Sequence, residues 1–370
     1  MDTFAFIIHP IDPKRDVSRK FPLLGKLLTV QQINFFSTFF PPVYISEITG
    51  IRSAATGRGV TGWFVACPYT PQRMLELPEQ TVYRKITQTG RLAERLGAQI
   101  LGLGAFTSVV GDAGVTIASR LSIPVTTGDS YTVAVAVEAV RAAARQLGLP
   151  LVSDGWPVSG AATAAVVGAT GAIGAVASEL IARDVRKLWL IGRRAPALEA
   201  LRERLSRQTL AEIVVSHDLR GLAEADLILT VTSALDTVIE PEHLKPGAVV
   251  CDVARPRDVS ARVAAARADV LVIDGGMVEV PGDPDFHFNF GFPPRMAYAC
   301  MAETIALALD GRRESYTLGK DLTVAQVEEI ARIAARHGFK LGGFRSFERP
   351  VTDAQIARVA AARRAAEVTP

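Results

Sequence analysis

Three glycines spaced three residues apart, Gly168, Gly171 and Gly174, mark a segment that can bind phosphate groups. They follow an apolar run, residues 164–167, and open an alanine-rich helical pattern that continues through Ala182. In a strand–turn–helix unit, such glycines permit the tight turn, the approach of a pyrophosphate and close packing of helix on strand. The helix N-terminus adds unpaired N–H groups and a positive dipole end. A glycine-rich turn without a ligand is the alternative. We predict a dinucleotide site formed by Gly168, Ala169, Thr170, Gly171, Ala172, Ile173 and Gly174.

Two arginines after the next apolar run indicate which dinucleotide binds. Residues 187–191 form that run, and Arg193 and Arg194 follow it. An NAD site usually has an acidic residue here that binds the ribose 2′-hydroxyl. This chain has arginines instead, which supply the fork-shaped cationic donors that suit a 2′-phosphate. We therefore predict NADPH rather than NADH, the alternative being that both arginines only solvate a loop. Thr232 and Ser233, which follow a later apolar strand, are predicted to be further cofactor contacts.

Cys300 is the candidate for covalent chemistry. Glu303 lies three residues later and so shares a helix face with it. A thiolate attacks acyl carbonyls well, and a hydride donor could then reduce the resulting thioester. A cysteine between alanine and methionine on a helix is also often a small buried hydrophobic residue, so both interpretations stay open. Cys251, in the middle of an apolar strand, is predicted to be core. For His9, at the end of the first strand, we favour a hydrogen bond to a loop over a direct role.

Alternating strands and helices must position these residues. Four apolar runs in the first part of the chain are predicted strands: residues 4–8, 43–48, 60–66 and 100–106. The alternation favours a largely parallel sheet, with sites at the carboxyl ends of strands, where Thr107-Ser108 and Thr126-Thr127-Gly128 fall. Five later strands with intervening helices predict a doubly wound Rossmann sheet.

The predicted fold is therefore α/β, in three consecutive segments. Residues 1–155 form an N-terminal α/β domain, and residues 156–292 form the Rossmann domain that binds the dinucleotide. Residues 293–370 form a C-terminal helical segment that carries Cys300. Its first helix is predicted to begin at Arg295, with Pro294 in the first turn.

Residues 21–45 are unusually apolar and aromatic. The large apolar side chains include Leu23, Leu24, Leu27, Leu28, Ile33, Phe35, Phe36, Phe39 and Phe40. One short helix does not need this many for its core face. Ordinary core is one interpretation, and a surface that touches a membrane is another. A third is the lining of a long apolar ligand, and we expect it to form a tunnel that leads to Cys300.

Composition sets broad limits on the protein class. A chain of 370 residues predicts two or three domains, and its 49% hydrophobic and 21% charged content is ordinary for a globular protein. The net charge of +3 is too small to indicate binding to nucleic acid. Three cysteines without metal-like spacing predict neither a metal site nor a disulfide framework, and favour a reducing, cytoplasmic location. We expect no signal peptide and no membrane-spanning segment.

Six short segments, spread from residue 15 to residue 339, form a more specific pattern than the glycine turn alone. They are Arg15-Asp16-Val17-Ser18-Arg19, Gly104-Ala105-Phe106-Thr107-Ser108, Thr126-Thr127-Gly128, Val166-Val167-Gly168-Ala169-Thr170-Gly171, Tyr298-Ala299-Cys300-Met301-Ala302-Glu303 and Arg336-His337-Gly338-Phe339. In these segments the chain resembles the cyanobacterial long-chain fatty acyl-[acyl carrier protein] reductases. The resemblance implies NADPH-dependent reduction of a long-chain acyl thioester to a fatty aldehyde, through an acyl-enzyme on Cys300.

The resemblance also implies partners. These are the acyl carrier protein or CoA thioester of a long-chain fatty acid and an enzyme that consumes the aldehyde. Peripheral membrane contact is an expectation from the apolar residues 21–45 instead, and the small net charge predicts no nucleic acid as partner. The chain departs from the family pattern at Ala172, where an acid is common, in residues 280–294 and in the extra tail after residue 341. Residues 252–258 also resemble glutamyl-tRNA reductases and shikimate dehydrogenases. The alternatives are thus an NADP-dependent dehydrogenase of a small carbonyl compound and an NADPH-binding protein without catalysis.

Overall fold

The computed structural model describes residues 2–368 of the chain. In chain order, the strands are β1 (Asp2–Ile8), β2 (Val43–Arg52), β3 (Gly59–Ala66), β4 (Leu101–Leu103), β5 (Val125–Thr126), β6 (Thr163–Val167), β7 (Lys187–Ile191), β8 (Glu212–Ser216), β9 (Leu227–Thr230), β10 (Val249–Asp252), β11 (Leu271–Asp274), β12 (Met277–Glu279), β13 (Gly282–Asp285), β14 (Met296–Tyr298), β15 (Lys340–Leu341), β16 (Arg345–Ser346) and β17 (Arg349–Pro350).

The helices are likewise distributed along the whole chain. They are α1 (Pro13–Lys20), α2 (Pro22–Leu27), α3 (Val30–Ser37), α4 (Pro71–Glu76), α5 (Glu79–Leu96), α6 (Phe106–Val109), α7 (Val115–Ser119), α8 (Asp129–Leu147), α9 (Ala172–Ala182), α10 (Ala195–Ser206), α11 (Ala261–Ala266), α12 (Ala299–Asp310), α13 (Val324–His337) and α14 (Asp353–Val368).

The chain forms two compact units, each built from two separate parts of the sequence. The first unit comprises Met1–Tyr131 and Val278–Gly342, and the second comprises Thr132–Met277 and Gly343–Pro370. The predicted segments 1–155, 156–292 and 293–370 were consecutive instead. Sequence periodicity locates strands and helices, but it does not reveal that the chain returns to its first unit after β11.

The first unit is organised by a six-stranded sheet with the order β13-β2-β3-β1-β4-β5. Strand β1 pairs in parallel with β3 and β4, and β4 pairs in parallel with β5, whereas β2 and β13 are added antiparallel. The carboxyl ends of β1, β4 and β5 therefore lie at one edge of the sheet. The segments that follow these strands share that edge, as the parallel pattern predicted.

Helices cover the central strands of this sheet. Side chains of α5, such as Val82 and Ile86, share a core cluster with Ile7 of β1 and Leu101 of β4. Helix α12 also packs on β1 and β4. A Cβ at Gly102 would lie 2.1 Å from Thr304 Oγ1, so the glycine allows α12 to approach β4 closely.

The second unit contains a parallel six-stranded sheet with the order β11-β10-β9-β6-β7-β8. This is the strand order of a doubly wound dinucleotide-binding sheet, and the order reverses between β6 and β9. The predicted α/β class with a Rossmann-type domain is confirmed. Strand β8 was not predicted, which raises the strand number from five to six.

Helix α12 begins four residues later than predicted. Residues 296–298 form β14, which belongs to a small sheet with β12 and β15. Tyr298 has extended backbone angles and serves as the N-cap of α12. The strand therefore displaces the helix start from Arg295 to Ala299. Helix α13 begins at a capping box that Thr323 forms with Gln326.

Candidate active site

The glycine turn of the second unit has the geometry of a phosphate cradle. Gly168 has φ +85°, and a Cβ there would lie 2.5 Å from the carbonyl oxygen of Val231. A Cβ at Gly174 would lie 2.2 Å from the carbonyl oxygen of Gly168, so neither position accepts a side chain. Gly171, the N-cap of α9, is exposed, and no side chain caps this N-terminus. The turn therefore fits a pyrophosphate on backbone N–H groups.

The other predicted residues of the turn surround these glycines. Ala169 is buried, whereas Thr170 is half-buried and its carbonyl oxygen accepts a hydrogen bond from Arg194 Nη2 at 2.7 Å. Ala172 and Ile173 form the first turn of α9 and are half-buried. Arg194 thus reaches the glycine turn, and Arg193 is exposed in the same loop. This cationic loop fits the predicted 2′-phosphate.

The turn after β9 is held by a buried carboxylate that the sequence prediction missed. Thr232 donates to Asp258 through its hydroxyl at 2.5 Å and through its N–H at 2.9 Å, and the Thr230 hydroxyl donates to the same carboxylate at 2.6 Å. The Thr232 hydroxyl therefore orders its own turn. Ser233 is exposed on that turn. The Asp-Val-Ala-Arg-Pro-Arg-Asp segment that ends at Asp258 carried the signal, but spacing alone did not give its partner.

In the first unit, Cys300 lies against the turn that follows β5. It is the second residue of α12 and is half-buried. Gly128, with φ +79°, is so near that a Cβ there would lie 2.3 Å from Cys300 Cα and 2.4 Å from Cys300 Cβ. The Thr126-Thr127-Gly128 turn is therefore in direct contact with the first turn of α12, and only glycine fits at position 128. Asp129, the next residue, begins α8.

The electrostatic surroundings keep the Cys300 thiol protonated. Burial raises the pKa of the Cys300 thiol to about 12, and the charges of Asp129 and Glu303 contribute to the increase. Burial and the charge of Glu303 raise the pKa of Asp129 to about 7, against a smaller opposing effect of Thr127. The thiol therefore needs a proton acceptor when it attacks a carbonyl. Asp129 is partly ionised near pH 7 and has the pKa that such an acceptor needs.

Glu303 is a positioning residue. Its side chain is buried and accepts hydrogen bonds from the Thr126 hydroxyl, the Ser130 hydroxyl at 2.6 Å, the Tyr131 N–H at 2.8 Å and the Thr317 hydroxyl at 2.8 Å. These bonds tie α12 to the end of β5 and to the start of α8. A carboxylate engaged in this way fixes the position of the neighbouring helix turn, and its lone pairs are already in use.

Other residues at this sheet edge have local roles. His9 Nε2 accepts a hydrogen bond from the Phe106 N–H at 3.0 Å, which agrees with the favoured interpretation, and burial lowers its pKa to about 4. The Thr107 hydroxyl donates to the carbonyl oxygen of Gly104 at 2.8 Å. The Ser108 hydroxyl donates to the carbonyl oxygen of Ala105 at 2.7 Å. These groups order the loop after β4.

An aromatic series leads from the sheet to the start of α12. Phe64 stacks on Phe286, with ring centroids 5.8 Å apart, and Phe286 contacts Phe290 edge-to-face at 5.1 Å. Phe290 contacts Phe292 at 5.1 Å, and Phe292 contacts Tyr298 at 4.4 Å. The last three rings are only half-buried. The series thus places accessible apolar surface two residues before the candidate cysteine.

Residues 21–45 differ from the expected tunnel lining. Leu23, Leu27, Phe35 and Phe39 are exposed to solvent. Gly25 is the buried residue of α2, so the leucines of that helix point away from the body of the unit. The expectation that this segment lines a tunnel to the candidate cysteine is therefore wrong for these side chains.

The other two cysteines, Cys67 and Cys251, are fully buried. Burial raises the pKa of both thiols, that of Cys67 to about 11. In the described part of the chain, residues 2–368, no helix combines the length and apolar character needed to cross a membrane.

Comparisons with known proteins support a reductase. The family model for Shikimate / quinate 5-dehydrogenase matches residues 154–275, which contain the six-stranded parallel sheet. A long-chain acyl-[acyl-carrier-protein] reductase of Synechococcus elongatus is 29% identical over 355 residues, which cover 91% of this chain and 98% of that protein. The resemblance predicted from the short segments is confirmed. Both matches are to oxidoreductases, and they support an enzyme of that class with the predicted NADPH cofactor.

A second relative differs in length. The aminotransferase PigE of a Serratia species is 32% identical over 293 residues, or 78% of this chain, but the chain spans only about a third of the length of that protein (33%). Among solved structures, the NAD-dependent malic enzyme of Thermotoga maritima is similar over 98% of this chain and 83% of that chain, with 15% identity and a TM-score of 0.40. The nucleotide-binding domain of glutamyl-tRNA reductase from Thermoplasma volcanium covers 37% of this chain and 84% of its own, with 20% identity and a TM-score of 0.26.

Proposed function

We propose that the protein reduces a long-chain fatty acyl thioester, carried by acyl carrier protein or CoA, to a fatty aldehyde with NADPH. One observation carries the proposal: Cys300 lies directly against Gly128 at the carboxyl ends of the parallel strands β1, β4 and β5, and the charge of the next residue, Asp129, acts on its thiol. A thiol with a neighbouring proton acceptor is the arrangement that acyl transfer to cysteine requires. The similarity to an acyl-[acyl-carrier-protein] reductase over nearly the full length of that relative supports the same substrate class.

In the first step, the acyl group moves from the carrier thiol to Cys300. The Sγ atom attacks the carbonyl carbon of the thioester as Asp129 takes the thiol proton. The bond between the acyl carbon and the carrier sulfur then breaks, and the leaving thiolate receives the proton from Asp129. Cys300 is left as a thioester, and Asp129 is again ionised.

In the second step, the acyl thioester on Cys300 is reduced. NADPH, when bound, would supply the hydride for this reduction. The bond between the acyl carbon and Sγ then breaks, the aldehyde leaves, and the released thiolate takes up one proton. The glycine turn and the arginine loop of the second unit would hold the pyrophosphate and the 2′-phosphate.

The same arginine loop favours NADPH over NADH. Arg194 already contacts the glycine turn through Thr170, and Arg193 stands beside it. Guanidinium groups bind a phosphate ester much better than a hydroxyl. The aromatic series that ends at Tyr298 supplies apolar surface for an acyl chain near Cys300.

The intact mass of the protein tests this function directly. After mixing with palmitoyl-CoA in the absence of NADPH, the wild-type protein should gain the mass of one palmitoyl group. Cys300→Ser should remove both the adduct and aldehyde formation while NADPH binding persists, since the serine hydroxyl has a pKa far above neutral. Cys67→Ala and Cys251→Ala are matched controls that should keep the adduct. Wild-type turnover by Cys300→Ser would instead favour a small-carbonyl dehydrogenase without a covalent step.

A further inference from the structure

The helices α2 and α3, with the residues that follow them, carry an apolar surface on the first unit. Its exposed members are Phe21, Leu23, Leu24, Leu27, Val30, Phe35, Phe36, Phe39 and Phe40. Leu23 is 75% exposed, Leu27 is 78% exposed and Phe39 is 70% exposed. Scattered single exposures of this kind are ordinary, but a contiguous run of large apolar side chains within twenty residues marks an interaction surface.

Helix α3 buries two polar side chains and exposes two phenylalanines. Its buried residues are Ile33, Asn34 and Ser37, whereas Phe35 and Phe36 are exposed. Asn34 Nδ2 donates to Gln72 Oε1 at 2.7 Å, and the Thr70 hydroxyl donates to Asn34 Oδ1 at 2.6 Å. A surface helix usually buries its apolar face and exposes its polar one. Here the buried Asn34 anchors the helix through its hydrogen bonds, and Phe35 and Phe36 face outward.

Further contacts fix the segment in this orientation. A Cβ at Gly25 would lie 1.9 Å from Ser18 Oγ, so α2 packs tightly on α1 through its glycine. Arg73 Nε donates to the Thr38 hydroxyl at 2.8 Å, and Lys85 Nζ donates to the carbonyl oxygen of Phe40 at 2.7 Å. The apolar surface is thus presented by a segment that is anchored at both ends.

Charge around the surface favours an anionic partner. Residues 13–42 contain five basic residues and one acidic residue, Asp16. Lys14 and Lys26 are exposed. A segment with outward leucine and phenylalanine side chains, flanked by lysine and arginine, has the composition of a membrane-surface anchor. Phenylalanine and leucine insert at the level of the acyl chains, while the basic groups contact anionic headgroups.

We propose that this apolar surface docks the protein on an anionic lipid bilayer. A second copy of the chain fits less well, because an isologous contact would bring two cationic borders together. An acidic protein partner would pair with the basic residues but would not account for nine exposed large apolar side chains. The proposal concerns membrane binding and does not depend on the reaction at Cys300.

Vesicle sedimentation tests the proposal. The full-length protein is mixed with vesicles of equal parts phosphatidylglycerol and phosphatidylcholine, and separately with phosphatidylcholine alone. We expect wild-type binding to the anionic vesicles at least tenfold tighter than to the neutral ones, and weaker binding in high salt. Leu23→Glu and Leu27→Glu should each weaken binding at least tenfold. Leu210→Glu, at an 86% exposed leucine of the second unit, should leave it unchanged.

Vesicle binding by charge variants and by Cys300→Ser provides two further tests. Lys26→Glu should weaken binding, whereas Lys320→Glu, at another exposed lysine, should not. Cys300→Ser should bind vesicles like the wild type, which separates this test from that of the proposed function. Absence of wild-type sedimentation, or equal binding by Leu27→Glu and Leu210→Glu, would overturn the proposal. The proposal would also be overturned if the wild type does not bind vesicles but forms a dimer that Leu27→Glu dissociates. The same holds if it does not bind vesicles but binds acyl carrier protein and Leu27→Glu removes that binding.

Discussion

Gly128 and Cys300 are in backbone contact, since a Cβ on the glycine would lie 2.3 Å from Cys300 Cα. The nearest atoms to that Cβ, Cys300 Cα, Cβ and O, all belong to the first turn of α12 or its side chain. A substituted side chain cannot avoid them by changing rotamer, so the helix turn itself must move. The contact therefore fixes where the thiol lies relative to the turn after β5.

Gly128→Ala is predicted to displace the thiol. The substitution adds overpacking of about 1–3 kcal/mol to the strain of a positive φ, so the free energy of unfolding should fall by more than strain alone explains. Acylation of Cys300 should slow at least tenfold, as measured by intact mass over time. Gly57→Ala is the matched control, because Gly57 also has positive φ but has no atom within 4 Å of its Cβ position. Equal acylation rates in both variants would contradict the role of this contact.

Asp129→Asn is predicted to have opposite effects on alkylation of the Cys300 thiol and on acyl transfer to it. Loss of the carboxylate charge lowers the pKa of the Cys300 thiol, so alkylation by iodoacetamide at pH 7 should become faster. Acyl transfer should become slower by about a hundredfold, because the proton acceptor is lost. A variant that slows both reactions together would indicate disturbed packing rather than a lost base.

The pH profile provides the second measurement for Asp129. In the wild type, the acylation rate should rise as pH increases through about 7, where Asp129 becomes ionised. The asparagine variant should lack this rise, since it has no group that ionises there. An unchanged midpoint in the variant would assign the profile to another residue.

Arg193→Ala combined with Arg194→Ala is predicted to change cofactor preference. Each lost charge-assisted hydrogen bond to a 2′-phosphate is worth about 1.5–3 kcal/mol, so the Kd for NADPH should rise at least tenfold while that for NADH changes little. Fluorescence titration with both cofactors measures this. Arg207→Ala, at an exposed arginine beyond the end of α10, is the control. An equal loss of affinity for both cofactors would refute the 2′-phosphate role.

The sequence was informative where function depends on local spacing. The glycine turn from Gly168 to Gly174 requires only a strand, a tight turn and a helix in succession, and all three are visible in the residue pattern. The capping box of Thr323 and Gln326 is equally local. Strand β8 was missed because four of its five residues are not buried, which weakens the apolar signal.

Less of the site around Cys300 could be predicted from the sequence. Asp129 directly follows the Thr126-Thr127-Gly128 segment that was placed at a strand end, but its electrostatic effect on Cys300 involves a residue 171 positions later. Strand β5 has only two residues, Val125–Thr126, and is too short to show a period. The role of Glu303 was similarly hidden, because its hydrogen-bond donors come from the ends of β5, the start of α8 and Thr317.

Glu303→Gln is predicted to weaken the fold and to shift the pH profile together. The amide has one accepting oxygen where the carboxylate has two, so at least one of the four buried donors is left without its partner. Each loss costs about 1–3 kcal/mol, and denaturant unfolding should show a decrease of that size. Removal of the Glu303 charge also lowers the pKa of Asp129, because that charge contributes to its elevation. The midpoint of the acylation profile should therefore move below pH 7 in Glu303→Gln, whereas Asp129→Asn abolishes it. A destabilised variant with an unmoved midpoint would show that Glu303 holds α12 in place without tuning the proton acceptor.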